Sequence, residues 1–297
     1  MTRETDLEIA NYQDAWAKLY LHLAKAVVRD FGIDGERLLR QAVRQFGIDR
    51  GVAQRKNHLA AGLKLNMENL FGKGDLPGDP RFRRNKIRLT SQERFSETLV
   101  CPIASMWREM DGLVLGRLYC EEFHHAKFAA YAPKSQTNLS QTLTQEGDQF
   151  CRFSVYLRPG NMTAEERKEA FAEFDPDFRP ENVKPLAPVT AHDGFTMLCV
   201  RIVQNIAHVF LEQYDEAGER CIRGAIRAFG EDFSAFLKGK AASLNKPFDL
   251  AFARANAPID FEADGPGAAI WALYDDIRPK RLFEEEFYPA FGIAFQA

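Results

Sequence analysis

The sequence predicts an α+β fold, with helical units followed by an antiparallel sheet and the helical unit repeated in the C-terminal half. Three observations predict it. The segment Gly35-Glu36-Arg37-Leu38-Leu39-Arg40-Gln41-Ala42-Val43-Arg44-Gln45-Phe46-Gly47 recurs as Gly218-Glu219-Arg220-Cys221-Ile222-Arg223-Gly224-Ala225-Ile226-Arg227-Ala228-Phe229-Gly230, at a constant offset of 183. Both copies follow a helical run, Leu19 to Phe31 and Val200 to Tyr214. Between them, short stretches alternate apolar and polar residues, the period of a half-buried strand.

In the first copy, Leu38, Leu39, Ala42, Val43 and Phe46 make one apolar stripe, with Arg37, Arg40, Gln41 and Arg44 opposite. Gly47 is the expected C-terminal stop. One repeat at this spacing is not a solenoid; it describes two related helix–turn–helix units. Phe71 to Pro80 reads as a loop by its glycines and prolines, and its Gly-Lys-Gly-Asp run lacks the spacing of a phosphate-binding loop. Arg81 to Leu89 reads as a strand with a charged face, or as a cationic lip for an anionic substrate. The segment around Phe95 and Leu99 alternates up to Cys101-Pro102, and Pro102 is suited to start a helix. That helix is expected to run from Ile103 through Tyr131, stopping before Pro133. Asn138 to Leu157 reads as a hairpin turning at Gln145 to Asp148, with Cys151, Phe153, Val155 and Leu157 on one face.

Residues 158–189 hold five of the fourteen prolines and read as a connector with one short acidic helix near Ala164–Phe174. The expected division is therefore 1–157, 158–189 and a degenerate second helical half at 190–297. The tail from Asp260, with its aromatic stretch Phe283 to Phe295, mixes strand-like and helical pieces.

Composition narrows the functional classes. The 297 residues include 39 Lys+Arg against 42 Asp+Glu, a net charge of −3, which argues against a nucleic-acid binder. No apolar run approaches the ~20 residues of a membrane span, and the start lacks the pattern of a signal peptide. The expectation is a cytoplasmic chain without a membrane partner. Its five widely spaced cysteines read as reduced thiols rather than a disulfide framework. No nucleophile elbow and no dinucleotide fingerprint occurs.

The densest chemistry lies between Cys101 and Cys151. On a helix Cys120 and His124 are i, i+4 and share a face; Glu121 and His125 form a second pair rotated by about 100°. A thiol beside an imidazole makes a nucleophile–base pair. The same two groups, completed by Cys101 and Cys151, are a candidate zinc site, although the spacing has no CxxC, and no metal is favoured. The third reading is structural. Cys199 and Cys221 lie in apolar helical runs and read as core residues. His22 and His208 read as packed or surface histidines, His58 has no evident partner, and His192 sits at a loop or capping position.

Cys101-Pro102, Leu118-Tyr119-Cys120-Glu121-Glu122-Phe123-His124, Tyr131-Ala132-Pro133 and Leu143-Thr144-Gln145-Glu146-Gly147-Asp148-Gln149-Phe150-Cys151-Arg152-Phe153 together resemble the L-2-amino-thiazoline-4-carboxylic acid hydrolase family. The resemblance covers about residues 20–157. The closing Gly147-Asp148-x-x-Cys151-x-Phe153 strand also resembles the end of small-molecule-binding domains of the 4-vinyl-reductase type. Residues 165–297 have no second Cys-Pro or Gly-Asp-x-x-Cys, and read as a partner half completing a pseudo-dimer.

The resemblance implies a hydrolase opening a cyclic amidine. In that scheme Cys120 or Cys101 attacks, His124 acts as base and then acid, and Glu121 or Glu122 holds the amidinium. Arg83, Arg84 or Arg152 meets the substrate carboxylate, and Cys151 and Tyr131 complete the substrate wall. A second version uses metal-bound water. The implied partner is a small molecule, with a homo-oligomer left open. The competing class is a non-enzymatic small-molecule or haem-like binding or sensor module.

Overall fold

The computed structural model describes residues 3–259, 265, 267–272 and 274–293. Phe295 and residues 260–264 of the tail lie outside these. The described elements are α1 (Arg3–Ala60), α2 (Met67–Gly72), β1 (Arg83–Leu89), β2 (Glu93–Val100), α3 (Pro102–Glu109), α4 (Leu113–Tyr131), β3 (Gln136–Gln141), β4 (Cys151–Tyr156), α5 (Ala164–Ala170), α6 (Ala191–Ser243), α7 (Leu250–Asn256), α8 (Ala268–Trp271) and α9 (Arg278–Phe291). The fold is α+β, with helical units in both halves and one antiparallel sheet of order β1-β2-β4-β3.

Two long helices organise the molecule, and each bends at one residue. In α1 the bend is at Gly32 (φ 57°), in α6 at Asp215 (φ 45°). The two positions are 183 apart. Glycine enters the left-handed region freely and aspartate tolerates it better than most side chains. Three residues beyond each bend a glycine closes the turn: a Cβ on Gly35 or on Gly218 would lie 2.2 Å from the carbonyl oxygen of Val27 or Phe210.

Gly47 was expected to end a helix, but α1 runs on to Ala60. Close approach explains the glycine. A Cβ on Gly47 would sit 2.8 Å from the Phe123 oxygen, and one on Gly51 2.3 Å from the Lys127 oxygen, so α4 crosses α1 backbone to backbone. Gly230 does the same against α9, where a Cβ would meet that of Ala290 at 2.9 Å.

The 183-residue offset reappears in the contacts between α1 and α6. Lys18 closes on Asp232 at 3.0 Å, while Arg201 faces Asp49 at 3.6 Å. His22 bonds Asp232 at 2.8 Å, while Asn205 donates to Asp49 at 3.1 Å. Within each half, Arg40 and Arg44 grip Glu122 of α4 as Arg223 and Arg227 grip Glu286 of α9. Reciprocal contacts of this kind are the signature of a two-fold interface. Both halves contribute to one apolar cluster, from Trp16, Tyr20 and Phe46 to Phe210, Phe229 and Phe287.

The helix expected from Ile103 to Tyr131 is two helices, broken at Asp111 (φ 51°) and Gly112, where a Cβ would strike Leu21 at 2.4 Å. The hairpin pairs Leu139 with Phe153, but a long loop rather than a tight turn joins β3 to β4. The segment 158–189 carries α5, closed by a Thr163–Glu166 capping box. Part of α6 is apolar and long enough to cross a membrane, contrary to the expectation, and most of that stretch is buried inside the chain. The scattered Arg201, Gln204 and Asn205 hide it from a search for unbroken apolar runs.

Candidate functional site

The site residues meet where α4 lies beneath the sheet. Along β4, Cys151, Phe153 and Val155 point inward and are buried. Across from them on β2 stand Thr98, Ser96 and Arg94, in register with Cys151, Phe153 and Val155. The inward set of β2 is therefore polar. Phe95 and Leu99 lie on its other face, and Leu99 is 46% exposed. Phe128 and Tyr131 of α4 join Cys151, Phe153 and Val155 in a second apolar cluster.

Three thiols converge here. Cys101 is the N-cap residue of α3, Cys120 faces out from α4, and Cys151 accepts a bond from the Leu143 N–H at 3.2 Å. Thr142 and Thr144 stand among them; their hydroxyls are 2.8 Å apart, and Cys151 lies 3.9 Å from Thr142 Oγ1. Burial pushes the Cys101 thiol up to about 11, against the opposing pull of the Ala104 and Ile103 amides. Burial raises Cys120 further, and its neighbours Cys101 and Cys151 add to the effect. Cys151 is raised by burial as well. All three thiols are therefore protonated at neutral pH.

His124 lies one turn beyond Cys120. Its ring meets Phe153 edge-on at 4.9 Å, and its Nδ1 is buried without a hydrogen-bond partner. Burial, and then the Arg94 charge, lower it to about 3, so the ring is neutral. Ser96 Oγ, opposite Phe153, is buried and unpartnered too. Cys120 and His124 share a helix face without bonding each other: His124 Nδ1 is unpartnered and Cys120 leans on the two threonines.

Two guanidinium groups lie beside these buried side chains with no carboxylate in ion-pair range among the described residues. Arg94 lies 4.1 Å over the Phe71 ring and 5.3 Å from that of Phe153. Burial, then the charge of Arg84, lowers it to about 10. Arg84, exposed on β1 opposite Thr98, lies 3.9 Å over Phe82 on the Cys101 side of the sheet. Cationic groups beside neutral thiols and a neutral imidazole favour an anionic guest.

The other expected site residues lie elsewhere. Glu121 pairs with Arg40 at 2.9 Å and Arg117 at 3.1 Å, and Glu122 with Arg40 and Arg44, so both face α1. Arg152 pairs with Glu97 at 2.9 Å, and its partner strand position puts it on the outer face. Arg83 is exposed. Tyr131 is fully buried and bonds His58 Nδ1 at 2.7 Å, which also gives His58 its partner. Cys199 and Cys221 are buried in the helical core. Arg94, Ser96, Thr142 and Thr144 were not singled out from the sequence. The alternation Arg94-x-Ser96-x-Thr98 is the signal that could have found the first two.

A metal-type grouping of His208, Glu212 and Asp276 also occurs, with ligand atoms within 4.8 Å of one another. Arg278 already compensates it, at 3.0 Å from Glu212 and 2.9 Å from Asp276. A cavity of about 650 Å³ lies at a different place, between α1 and the start of α6.

Residues 14–155 match the family model described as L-2-amino-thiazoline-4-carboxylic acid hydrolase. No curated protein and no solved structure matches the chain. The matched span holds every thiol, histidine and arginine of the α4–sheet site, and the family's name implies a hydrolase.

Proposed function

We propose, taking as premise that residues 14–155 match the L-2-amino-thiazoline-4-carboxylic acid hydrolase family, that the chain hydrolyses a small cyclic amidine carrying a carboxylate, at the residue cluster where α4 meets the sheet. The observation that carries the reading is the coincidence of Arg84 and Arg94, both without carboxylate partners, with the unpartnered Nδ1 of His124 and the thiol of Cys120.

In this reading Arg94 and Arg84 bind the carboxylate, and charge-assisted hydrogen bonds orient the ring. His124 is neutral and can take a proton. Cys120 is the attacking group: its Sγ proton passes to His124 as sulfur adds to the amidine carbon. The tetrahedral carbon then breaks one ring bond, and His124 returns the proton to the departing atom. Water, deprotonated by the same imidazole, then displaces the Cys120 sulfur, restoring the thiol and releasing a carbamoyl product. The net reaction adds one water. Binding of the carboxylate also offsets the Arg94 charge that depresses His124, so the substrate strengthens its own base.

One observation favours a second reading. All three thiols are held protonated, as suits the soft wall of a binding module that does no chemistry. Ring opening of 2-aminothiazoline-4-carboxylate by the purified chain separates the two. The hydrolase reading expects turnover that falls at least a hundredfold in His124→Ala and in Cys120→Ala, and a raised KM in Arg94→Gln. Absence of turnover in the wild-type chain, with the ligand still bound, supports the binding module.

A further inference from the structure

The cavity between the C-terminal part of α1 and the start of α6 encloses about 650 Å³, within the range of small-molecule sites. Its walls are largely apolar, with Ala53, Leu76, Met197 and Leu198 among them, and the strap Lys184–Val189 roofs it. The strap is anchored where the Lys184 amide donates to Ala61 at 2.9 Å, and it resumes hydrogen bonding at the Thr190 cap of α6. Pro185 and Pro188 have no amide hydrogens to satisfy, which lets this roof span the gap without a ladder.

The reciprocal relation of the two halves explains why the space exists. At an offset of 183, Gly194, Ala53 and Arg201 stand where Asn11, Phe236 and Lys18 stand at the other end of the helix pair. There the corresponding volume is filled. Asn11 donates to Asn256 of α7 at 2.7 Å, Tyr12 bonds the Ala255 carbonyl, and Lys18 lies 5.4 Å over the Phe236 ring and 3.0 Å from Asp232. At the cavity end the equivalent positions are Ala53 and Gly194, against which only Leu76 packs closely, no helix among the described residues takes the place of α7, and the ion pair is loose.

That loose pair supplies the charge. Arg201 is 14% exposed, and its nearest carboxylate oxygen, on Asp49, is 3.6 Å away, beyond a full hydrogen bond. Asp49 already accepts from Asn205 at 3.1 Å, Gln45 at 2.8 Å and Tyr274 at 3.3 Å. On the facing wall Arg50 and Lys127 share the single carboxylate of Asp75, at 2.6 and 3.0 Å. Half-buried Arg50 and Arg201 line the cavity, and with the buried Lys127 behind Asp75 three cations share two carboxylates.

We propose that this cavity is a second ligand site, for an apolar molecule with one carboxylate, whose head group is held by Arg201 in the field of Arg50 and whose body fills the space that α7 fills at the opposite end. An anionic head completes the hydrogen bonds that Asp49 leaves open, and an apolar body removes water from the Ala53–Leu198 walls. The site is separate from the α4–sheet cluster, with Lys127 and Tyr131 of α4 between them.

The test uses decanoate, titrated calorimetrically into the full-length chain, with decanol as the uncharged control. Saturable one-to-one binding is expected, at least tenfold weaker for decanol. Arg201→Met, which keeps an apolar stem, is expected to weaken decanoate at least tenfold and leave decanol unchanged. Ala53→Phe, the side chain found at the equivalent position 236, is expected to abolish both. Melting curves identify a variant that fails to fold, in which case the other variant decides. The proposal is overturned if the wild-type chain does not bind decanoate, or if folded variants bind it as the wild-type chain does.

Discussion

Phe31 and Tyr214 stack ring on ring at 4.0 Å, with 9° between their planes, although 183 residues separate them. They are equivalent positions of the two halves. A residue that meets its own counterpart marks a two-fold axis, and the Lys18–Asp232 and Arg201–Asp49 pairs lie to either side of it. The α1–α6 contact has the form of a dimer interface within one chain. A double-mutant cycle of Phe31→Ala and Tyr214→Ala is expected to give a coupling of about 1 kcal/mol in chemical unfolding, the ordinary worth of an aromatic pair. Additive effects would show that the stack contributes only burial.

Gly51 sits where α1 touches the backbone of α4. Gly51→Ala is expected to destabilise the chain by about 1–3 kcal/mol, because the new methyl meets a carbonyl rather than a flexible side chain. It should also weaken ring opening, since α4 carries Cys120 and His124. An unchanged melting temperature would contradict the close approach.

Asp75 holds Arg50 and Lys127 together. Burial works to raise its carboxyl, but the two cations prevail and keep it far below the usual range. The associated stability is complete above the ordinary carboxylate pKa of about 4 and is lost as pH falls towards the lower native value. Asp75→Asn is expected to cost about 3 kcal/mol at pH 7, because two buried cations lose their counter-charge. Denaturant titration checks it, with a steeper acid limb in the wild-type chain than in the variant.

His124 titrates at about 3 in the native chain and near 6.5 when unfolded. The unfolded state binds the extra proton between these values, so stability falls as pH drops from about 6.5 towards 3. His124→Gln is expected to flatten that part of the stability profile. In the native chain, histidine NMR should show the His124 ring neutral at pH 5, and Arg94→Met should move its titration upward. A His124 resonance titrating near 6.5 would contradict the shielding of Nδ1.

The native thiols should react slowly. Cys101, raised to about 11, and the still higher Cys120 expose little thiolate at pH 8. An aromatic disulfide reagent is expected to label the native chain over hours and all five cysteines at once in denaturant. Rapid labelling of one native thiol at pH 8 would identify an activated nucleophile and remove the basis of the binding-module reading.

Local signals were strong wherever one element was concerned. The 3.6-residue stripe of Leu38 to Phe46, the alternation of Cys151 to Leu157 and the short acidic helix after residue 163 could all be read directly, because each depends on neighbours within a turn or two. Gly47 misled for the same reason: a glycine that ends a helix and one that admits a crossing helix look alike in one dimension. In β2 the alternation was legible, yet which side faced inward was not. Apolar Phe95 and Leu99 suggest one face, whereas Ser96 and Thr98 are the buried ones.

By itself the sequence determined the helical repeat, its offset, the strands and the helix register that puts Cys120 and His124 on one side. Tertiary structure alone decided that Arg94 and Arg84 come without carboxylates to that place, and that Glu121 and Glu122 turn away to Arg40 and Arg44. It also decided that a space stays open at one end of the helix pair and is filled at the other. The physical reason is that periodicity records how a side chain relates to its own backbone. Charge pairing, desolvation and free volume depend on which elements meet, and those meetings are set by contacts many residues apart.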